Sequence, residues 1–193
     1  MVSLMSPARG LRQRGVLLIE ILVTLIIVAL GLLGLAGMQV QLQKNEIDSY
    51  QRTQALLLLN DMANRIATNR TAAASYVTGS GSPLGVAMTC PNATSTVAQM
   101  DLGDWCQALQ GAAETTSANT SVGALIGGRG CVESVGGDFL VTVAWQGQTP
   151  LSAPPASVAC GANSYNSATG SGCIDDRCRR AVTTVVRVAN LTP

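Results

Sequence analysis

The sequence predicts an α+β fold, in which a long N-terminal transmembrane helix packs on a small antiparallel sheet with disulfide-stapled loops. Three observations predict it: an unbroken apolar segment near the N-terminus, two strand-like runs in the C-terminal half, and six cysteines confined to residues 90–178. The chain has 193 residues, of which 47% are hydrophobic but only 12% charged and 3% aromatic. This length fits one domain of ordinary size.

The apolar segment spans residues 16–38, where 18 of 23 residues are Val, Leu, Ile, Ala or Met. As a helix it is about 33 Å long, enough to cross the core of a bilayer. Arg9, Arg12 and Arg14 precede it, and no acid occurs among residues 1–15. Because positive flanks stay in the cytoplasm, we expect a cytoplasmic N-terminus and a C-terminal body on the far side. The alternative, a buried soluble helix, is disfavoured by the polar and aromatic-poor remainder.

Glu20 is the one acid inside this segment, and a carboxylate in hydrocarbon is costly unless it is neutralised or paired. A shallow position near the lipid headgroups is the simplest structural explanation. However, residues 14–20 (RGVLLIE) resemble the class III leader of type IV pilins and pseudopilins. That leader is short and basic and ends in Gly, and the mature chain then begins with an apolar residue and has Glu at its fifth position.

The resemblance implies that residues 1–15 are a leader, which a prepilin peptidase removes by cleavage after Gly15. The same enzyme would methylate the new amino group on Val16. The charge of that amine would pair with Glu20 in its own chain or in a neighbouring subunit, favouring assembly. Val16 stands where Phe is usual in the family, and Leu17 where Ser or Thr is common. These departures bear on the efficiency of processing.

Beyond the membrane segment, the chain contains no proline before Pro83. Four apolar residues then recur at spacings of 4, 3 and 4, as expected for one face of a helix. They are Ala55, Leu59, Met62 and Ile66. We therefore predict one helix over about residues 16–69, with a transmembrane and assembly half (16–38) and a periplasmic half (39–70). A short break at residues 43–48 is the alternative.

Two further segments indicate which family of pilin-like proteins the chain resembles. Residues 31–39 (GLLGLAGMQ) and 63–70 (ANRIATNR) are similar to minor pilins of the type IV pilus modification protein family, PilV. Residues 127–131 (GGRGC) and 139–147 (FLVTVAWQG) also resemble the C-terminal globular part of PilV proteins. The glycines at positions 31, 34 and 37 have three explanations: close helix packing, a stretchable point, or the ordinary tolerance of membrane helices for glycine.

The resemblance implies a pilin-like fold and a minor pilin that takes part in priming and assembly of a type IV pilus. Its partners would be the prepilin peptidase, the major pilin, other minor pilins and the inner-membrane assembly platform. The chain would cross the bacterial inner membrane once and then enter the pilus, supporting adhesion and twitching motility. A minor pseudopilin of a type II secretion system is the nearest alternative. An uncleaved membrane-anchored binding protein and a tip adhesin or DNA-uptake receptor are further ones.

Residues 71–193 are predicted to form a periplasmic globular head that contains all the cysteines. An even number of cysteines on the translocated side of a membrane indicates disulfides, although six cysteines allow 15 pairings. Zinc is disfavoured, because it needs a reducing environment and the last two cysteines are separated by four residues. The candidates are Cys90, Cys106, Cys131, Cys160, Cys173 and Cys178.

Two runs in the head have strand composition, residues 139–145 and 181–188. The stretch between them contains three prolines and three cysteines, which predicts a long stapled loop joining antiparallel strands. Residues 71–126 remain unplaced, except for a short helix suggested at residues 105–110.

Other chemistry finds little support in the sequence. The chain has no histidine, which excludes Ser-His-Asp and Cys-His nucleophiles and every His-dependent metal site. The net charge of +1 is far from the footprint of a nucleic-acid binder. Asp175 and Asp176 offer too few oxygen ligands for a calcium loop, so a solvated loop tip is expected there. We therefore expect a non-enzymatic protein without metal, cofactor or nucleic-acid partner.

Overall fold

The structure is a computed structural model that describes residues 16–112, 117, 125–168 and 170–189. The predicted leader, including Gly15 at the cleavage position, lies outside the described residues. The chain forms two compact units, Met1–Asn45 and Glu46–Pro193, which are described separately. Two α-helices, one 3₁₀ segment and four strands occur in the described residues. In chain order they are α1 (Val16–Thr68), the 3₁₀ segment (Arg70–Tyr76), β1 (Leu84–Gly85), α2 (Val97–Leu109), β2 (Arg129–Val135), β3 (Asp138–Gln146) and β4 (Arg179–Val186).

Helix α1 is continuous through residues 43–48, so the predicted single helix is confirmed and a break there is not seen. The absence of proline allows this continuity, since each interior amide can donate to the carbonyl four residues earlier. The predicted stripe of Ala55, Leu59, Met62 and Ile66 is buried in the core of the C-terminal unit, as expected from its periodicity.

The four strands form one antiparallel sheet in the order β1-β2-β3-β4. The two predicted strands, β3 and β4, pair over their whole lengths, and β4 begins two residues earlier than expected. Strand β2 was not predicted, because its residues Arg129–Val135 (RGCVESV) lack the run of β-branched and aromatic side chains that marks β3. It forms a hairpin with β3 through Gly136 and Gly137, both at positive φ (61° and 90°). Tight hairpins require such backbone angles, which glycine adopts without a steric penalty.

The side chains of each strand alternate between the two faces of the sheet. One face carries Val132, Val141 and Val143 and joins the core formed by the α1 stripe and α2. The other carries Cys131 and Thr142, and the long segment between β3 and β4 is bound to it by a disulfide. The sheet therefore lies between helices on one side and a stapled loop on the other, consistent with the predicted α+β layout.

Helix α2 is longer than the short helix suggested at residues 105–110. It begins after Thr96, whose side-chain oxygen accepts from the Gln99 amide, while the Gln99 side chain accepts from the Thr96 amide (both 3.2 Å). This reciprocal capping box is a start signal that is visible in the sequence but was missed. The same region, left unplaced by the sequence, also holds the 3₁₀ segment and β1.

All six cysteines form disulfides, as predicted, and the structure supplies the pairing that the sequence left open. The loop before α2 is joined to that helix, strand β2 is joined to the long segment before β4, and a third bridge closes a short turn. The pairs are Cys90–Cys106, Cys131–Cys160 and Cys173–Cys178, with sequence separations of 16, 29 and 5.

Candidate functional site: the apolar helix and the polar clusters of the C-terminal unit

The N-terminal unit presents an apolar surface on every side of α1. From Leu18 to Leu42, each large hydrophobic side chain is 47–72% exposed. The helix contains a window of mean hydropathy 2.8, so by length and composition it is able to cross a membrane. A helix that is hydrophobic all round is stable only in lipid or among other apolar helices. Because these side chains remain exposed in the part of the chain that the structure describes, the surface requires lipid or other apolar helices around it.

Glu20 interrupts this surface close to its N-terminal end, and its side chain is exposed. The next charged residue along the helix is Lys44. Thr24, one turn after Glu20, donates to the Ile21 carbonyl (2.8 Å) and is thereby satisfied within the helix. The backbone of Val16 begins the helix, and residues four apart share a helix face. An amino group at Val16 would therefore lie on the same face as the Glu20 carboxylate.

The three glycines at positions 31, 34 and 37 have no close neighbour among the described residues. A Cβ atom built at any of them meets nothing within 4 Å outside its own helix segment. Close packing at these glycines therefore requires a second molecule, and the chain itself does not distinguish among the three explanations given above.

A cluster of charges joins the end of α1 to α2 in the C-terminal unit, here called the Arg65 cluster (Asp61, Arg65, Tyr76, Asp101 and Asp104). The Arg65 guanidinium donates to Asp61 (3.0 Å) and Asp101 (2.6 Å) and lies 3.6 Å from Asp104. The phenol of buried Tyr76 donates to the other oxygen of Asp101. Burial lowers the pKa of Arg65, but the hydrogen bond to Asp101 and the nearby charges raise it overall. The cluster therefore holds Arg65 charged and fixes α2 against α1.

Replacing Asp101 with Asn is expected to lower the free energy of unfolding by about 1.5–3 kcal/mol, because hydrogen bonds to charged groups contribute about that much. The change removes one of the three carboxylate charges that face Arg65, the one at the shortest distance, and weakens the contact with Tyr76. Urea unfolding of the full chain in detergent, followed by circular dichroism, measures the effect.

The matched control is Asp138→Asn, which removes an ion pair with Arg187, a side chain that is 84% exposed. Exposed pairs contribute about 0–1 kcal/mol, so this variant should remain close to the wild type. Equal stability losses in the two variants would contradict the structural role assigned to the Arg65 cluster.

The expectation of a solvated loop tip at Asp175 and Asp176 is wrong for the second residue. Asp175 is exposed, but Asp176 is buried and pairs with buried Arg179 (3.2 Å). The other Asp176 oxygen accepts from the Asn163 amide (2.7 Å), and Arg179 donates to the Cys160 carbonyl (3.2 Å). Buried charges need such partners, and these bonds hold the long segment on the sheet. The sequence showed only a cluster of acids and arginines, without the pairing.

Tyr165 belongs to the same segment and is buried. Its hydroxyl donates to the Gly127 carbonyl (2.8 Å), and the Arg129 guanidinium lies 4.9 Å from the centre of its ring. Burial raises the pKa of Tyr165, although the hydrogen bond and charge of Arg129 oppose the shift. Burial likewise raises the pKa of Tyr76, and its hydrogen bond to Asp101 adds to the effect.

These two raised pKa values predict that the fold loses stability in alkali. Unfolded tyrosine ionises near pH 10, whereas Tyr76 and Tyr165 keep their protons to higher pH. The unfolded state therefore binds fewer protons above about pH 10, so the free energy of unfolding falls from there through the folded pKa values. Below about pH 10 both tyrosines are protonated in the folded and the unfolded state, so they do not make the free energy of unfolding depend on pH.

Urea unfolding at several pH values between about 8 and 12 measures this dependence. In Tyr76→Phe one of the two contributions is removed, so the decline above pH 10 should become shallower. A free energy of unfolding that stays constant to pH 12, or a Phe variant with the parent's slope, would contradict the assignment.

No protein-family model, curated protein or solved structure matches the chain. The function must therefore be argued from the chain's own residues. Within the described ranges, no group of three or more His, Cys, Asp or Glu residues is arranged to hold a metal ion. The features that remain are the apolar helix with its single acid and a disulfide-bonded C-terminal unit with polar clusters.

Proposed function

We propose that this chain is a minor pilin, a non-enzymatic subunit that takes part in priming and assembling a type IV pilus. Its precursor would span the bacterial inner membrane once, and the prepilin peptidase would cleave it after Gly15 and methylate Val16. Major pilin, other minor pilins and the inner-membrane assembly platform would be its partners. In this role it supports adhesion and twitching motility.

The observation that carries the proposal is the apolar surface of residues 18–42, which is exposed on all sides and interrupted by one ionisable group, Glu20. Such a surface is stable in lipid before assembly. It can leave the lipid only if it is buried again among equally apolar helices, because exposure to water costs about 25 cal/mol per Å² of apolar surface. A bundle of N-terminal helices provides that second environment.

Glu20 favours the transfer of the helix from lipid into a bundle. In lipid, an isolated carboxylate is unfavourable, and pairing it with a positively charged amine removes much of that cost. Cleavage after Gly15 would create such an amine at Val16, on the same helix face as Glu20 in its own chain. In a bundle, the amine of a neighbouring subunit provides the same partner, which favours one axial position between subunits.

The C-terminal unit supports the same proposal independently. It has its own core, and its three disulfides are of the kind that persists in an oxidising compartment. A unit that folds outside the cytoplasm, attached to a helix in the membrane, fits the precursor of a filament subunit.

Mass spectrometry of the chain purified from cells tests the processing step. We expect a mature N-terminus at Val16 that carries one methyl group, and no peptides from residues 1–15. A chain that still begins at Met1, in cells with active prepilin peptidase, would contradict the proposal and favour an uncleaved membrane anchor.

Complementation of a deletion strain tests the pathway. Restored surface piliation and twitching, with the chain detected in sheared filaments, would support a minor pilin. Restored protein secretion without piliation would assign the chain to a type II secretion pseudopilus instead.

A further inference from the structure

The C-terminal unit contains a half-open cleft of about 370 Å³ beside the sheet. This volume lies within the range of about 300–1,000 Å³ that is typical of small-molecule sites. Helix α1, strands β3 and β4 and the segment after β3 contribute its walls. The lining residues are Asp48, Ser49, Arg52, Trp145, Leu151 and Arg180.

The cleft contains hydrogen-bond donors that the chain itself leaves unused. Arg52 makes no hydrogen bond or ion pair within the part of the chain that the structure describes. Among the same residues, the indole N–H of Trp145 donates to no acceptor, and its nitrogen is not one of the fully buried atoms that lack a partner, so it keeps access to solvent. By contrast, the indole of Trp105 donates to the Leu58 carbonyl (2.9 Å).

Arg180 is held at the cleft by backbone carbonyls. Its two terminal nitrogens donate to Thr149 (2.5 Å) and Arg177 (3.1 Å), and these carbonyls carry no full charge. Its guanidinium also lies directly over Gly147, where a Cβ atom would come within 2.7 Å of both Cζ and Nε. A glycine is therefore needed at position 147 for the guanidinium to occupy this place.

The charges of the cleft are unbalanced, because two guanidinium groups face one carboxylate. That carboxylate, Asp48, already accepts a hydrogen bond from the Gln148 amide (3.3 Å). Burial lowers the pKa of Arg180, and the charge of Asp48 only partly opposes this effect. An added anion would compensate the remaining positive charge.

The wall opposite α1 is fixed before any ligand arrives. The Gly147 amide donates to the Cys178 carbonyl (2.8 Å), and the Leu151 amide donates to the Arg177 carbonyl (2.7 Å). The Cys173–Cys178 disulfide closes the turn that supplies both acceptors. Because binding to a pre-organised wall loses little conformational entropy, a small ligand is sufficient to occupy it.

We propose that this cleft binds a small carboxylic acid that carries a ring. The carboxylate would accept hydrogen bonds from Arg52 and Arg180, since planar guanidinium groups match planar carboxylates. The ring would lie against Trp145 and Leu151, which supply the apolar side of the cleft. Sugar acids and aromatic acids share this chemistry, and the experiment distinguishes them.

The test is a titration of the full chain in a zwitterionic detergent, with the tryptophan indoles labelled with ¹⁵N. The probes are D-glucuronate and benzoate, with D-glucose and benzyl alcohol as their uncharged counterparts and inorganic phosphate as an anion without a ring. We expect a saturable shift of the Trp145 indole resonance with one of the two acids, and little shift with its uncharged counterpart. The Trp105 resonance serves as the internal reference.

Arg52→Gln should weaken the affinity about tenfold or more and leave folding intact, because Arg52 is exposed and makes no hydrogen bond or ion pair within the described residues. Gly147→Ala should weaken it as well, by displacing Arg180. Arg187→Gln is the matched control, since it removes an exposed arginine outside the cleft and should bind like the wild type.

Three results of the titration would overturn the proposal. They are the absence of a saturable Trp145 shift with either acid, equal shifts with the uncharged counterparts, and equal binding of phosphate. An Arg52→Gln variant that binds with wild-type affinity would also overturn it.

Discussion

Replacing Glu20 with alanine is expected to leave membrane insertion intact and to reduce incorporation into filaments about tenfold or more. Insertion should even become easier, because the variant no longer places an acid in the hydrocarbon. Incorporation should fall, because the amine that the proposed cleavage would create at Val16 would lose the one ionisable group within residues 18–42. The measurement is the amount of the chain in sheared filaments relative to the amount in the inner membrane.

Two further variants identify the cause of the effect. Glu20→Gln keeps the size and polarity of the side chain but removes its charge, so it should behave like the alanine variant. Thr24→Ala removes a polar group one turn away that is already bonded within the helix, and it should assemble normally. If Glu20→Ala entered filaments at the wild-type level, the proposed charge pairing would be wrong.

Replacing Trp105 with alanine should lower the free energy of unfolding by about 3–5 kcal/mol, the usual cost of truncating a buried aromatic residue. The Trp105 side chain has no exposed surface, and its indole N–H donates to the Leu58 carbonyl of α1. The substitution therefore removes apolar contacts and one hydrogen bond, and it leaves the Leu58 carbonyl with only its partner within the helix. Urea unfolding of the full chain in detergent, followed by circular dichroism, gives the value.

The ring of Trp105 occupies the space over Gly130 of strand β2. A Cβ atom at Gly130 would overlap Cη2 of Trp105 and come within 2.6 Å of Cζ3 and 2.7 Å of the Leu109 Cδ1 atom. Gly130→Ala should therefore destabilise the fold by about 1–3 kcal/mol, as overpacking does. In a Trp105→Leu background the loss should be smaller, because the obstructing ring is absent.

A double-mutant cycle measures this coupling between the two positions. Val185→Ala, at an exposed position of β4, is the control and should change the stability by less than about 0.5 kcal/mol. Strictly additive effects of the changes at 105 and 130 would contradict the contact between the ring and the glycine.

Several parts of the fold were predictable because their signals are local. The α1 stripe follows from a spacing of 4, 3 and 4, and strand β3 follows from a run of β-branched and aromatic residues. The capping box before α2 is equally local, so Thr96 and Gln99 were sufficient to predict the start of this helix, although it was not predicted. Strand β2 is different, since Arg129, Gly130 and Glu133 give it weak strand propensity. Pairing along its whole length with β3 outweighs that propensity.

The polar clusters depended on contacts between distant residues. Arg65 meets Asp101 across 36 positions of sequence, and Arg180 reaches the Thr149 carbonyl across 31. In the sequence alone, each of these arginines and aspartates is equally compatible with a solvated position on the surface. Asp176 is an example, because the sequence predicts a solvated loop tip, whereas the residue is a buried partner of Arg179.

The sequence by itself determined that an apolar helix with a single acid precedes a strand-bearing, cysteine-rich unit, because periodicity and composition act over a few neighbouring residues. Only the tertiary structure decided which cysteines are joined, which charges are buried together and where the cleft beside Arg180 lies. These features depend on the energy of bringing remote segments of the chain into contact, and the order of residues along the chain does not encode that energy locally.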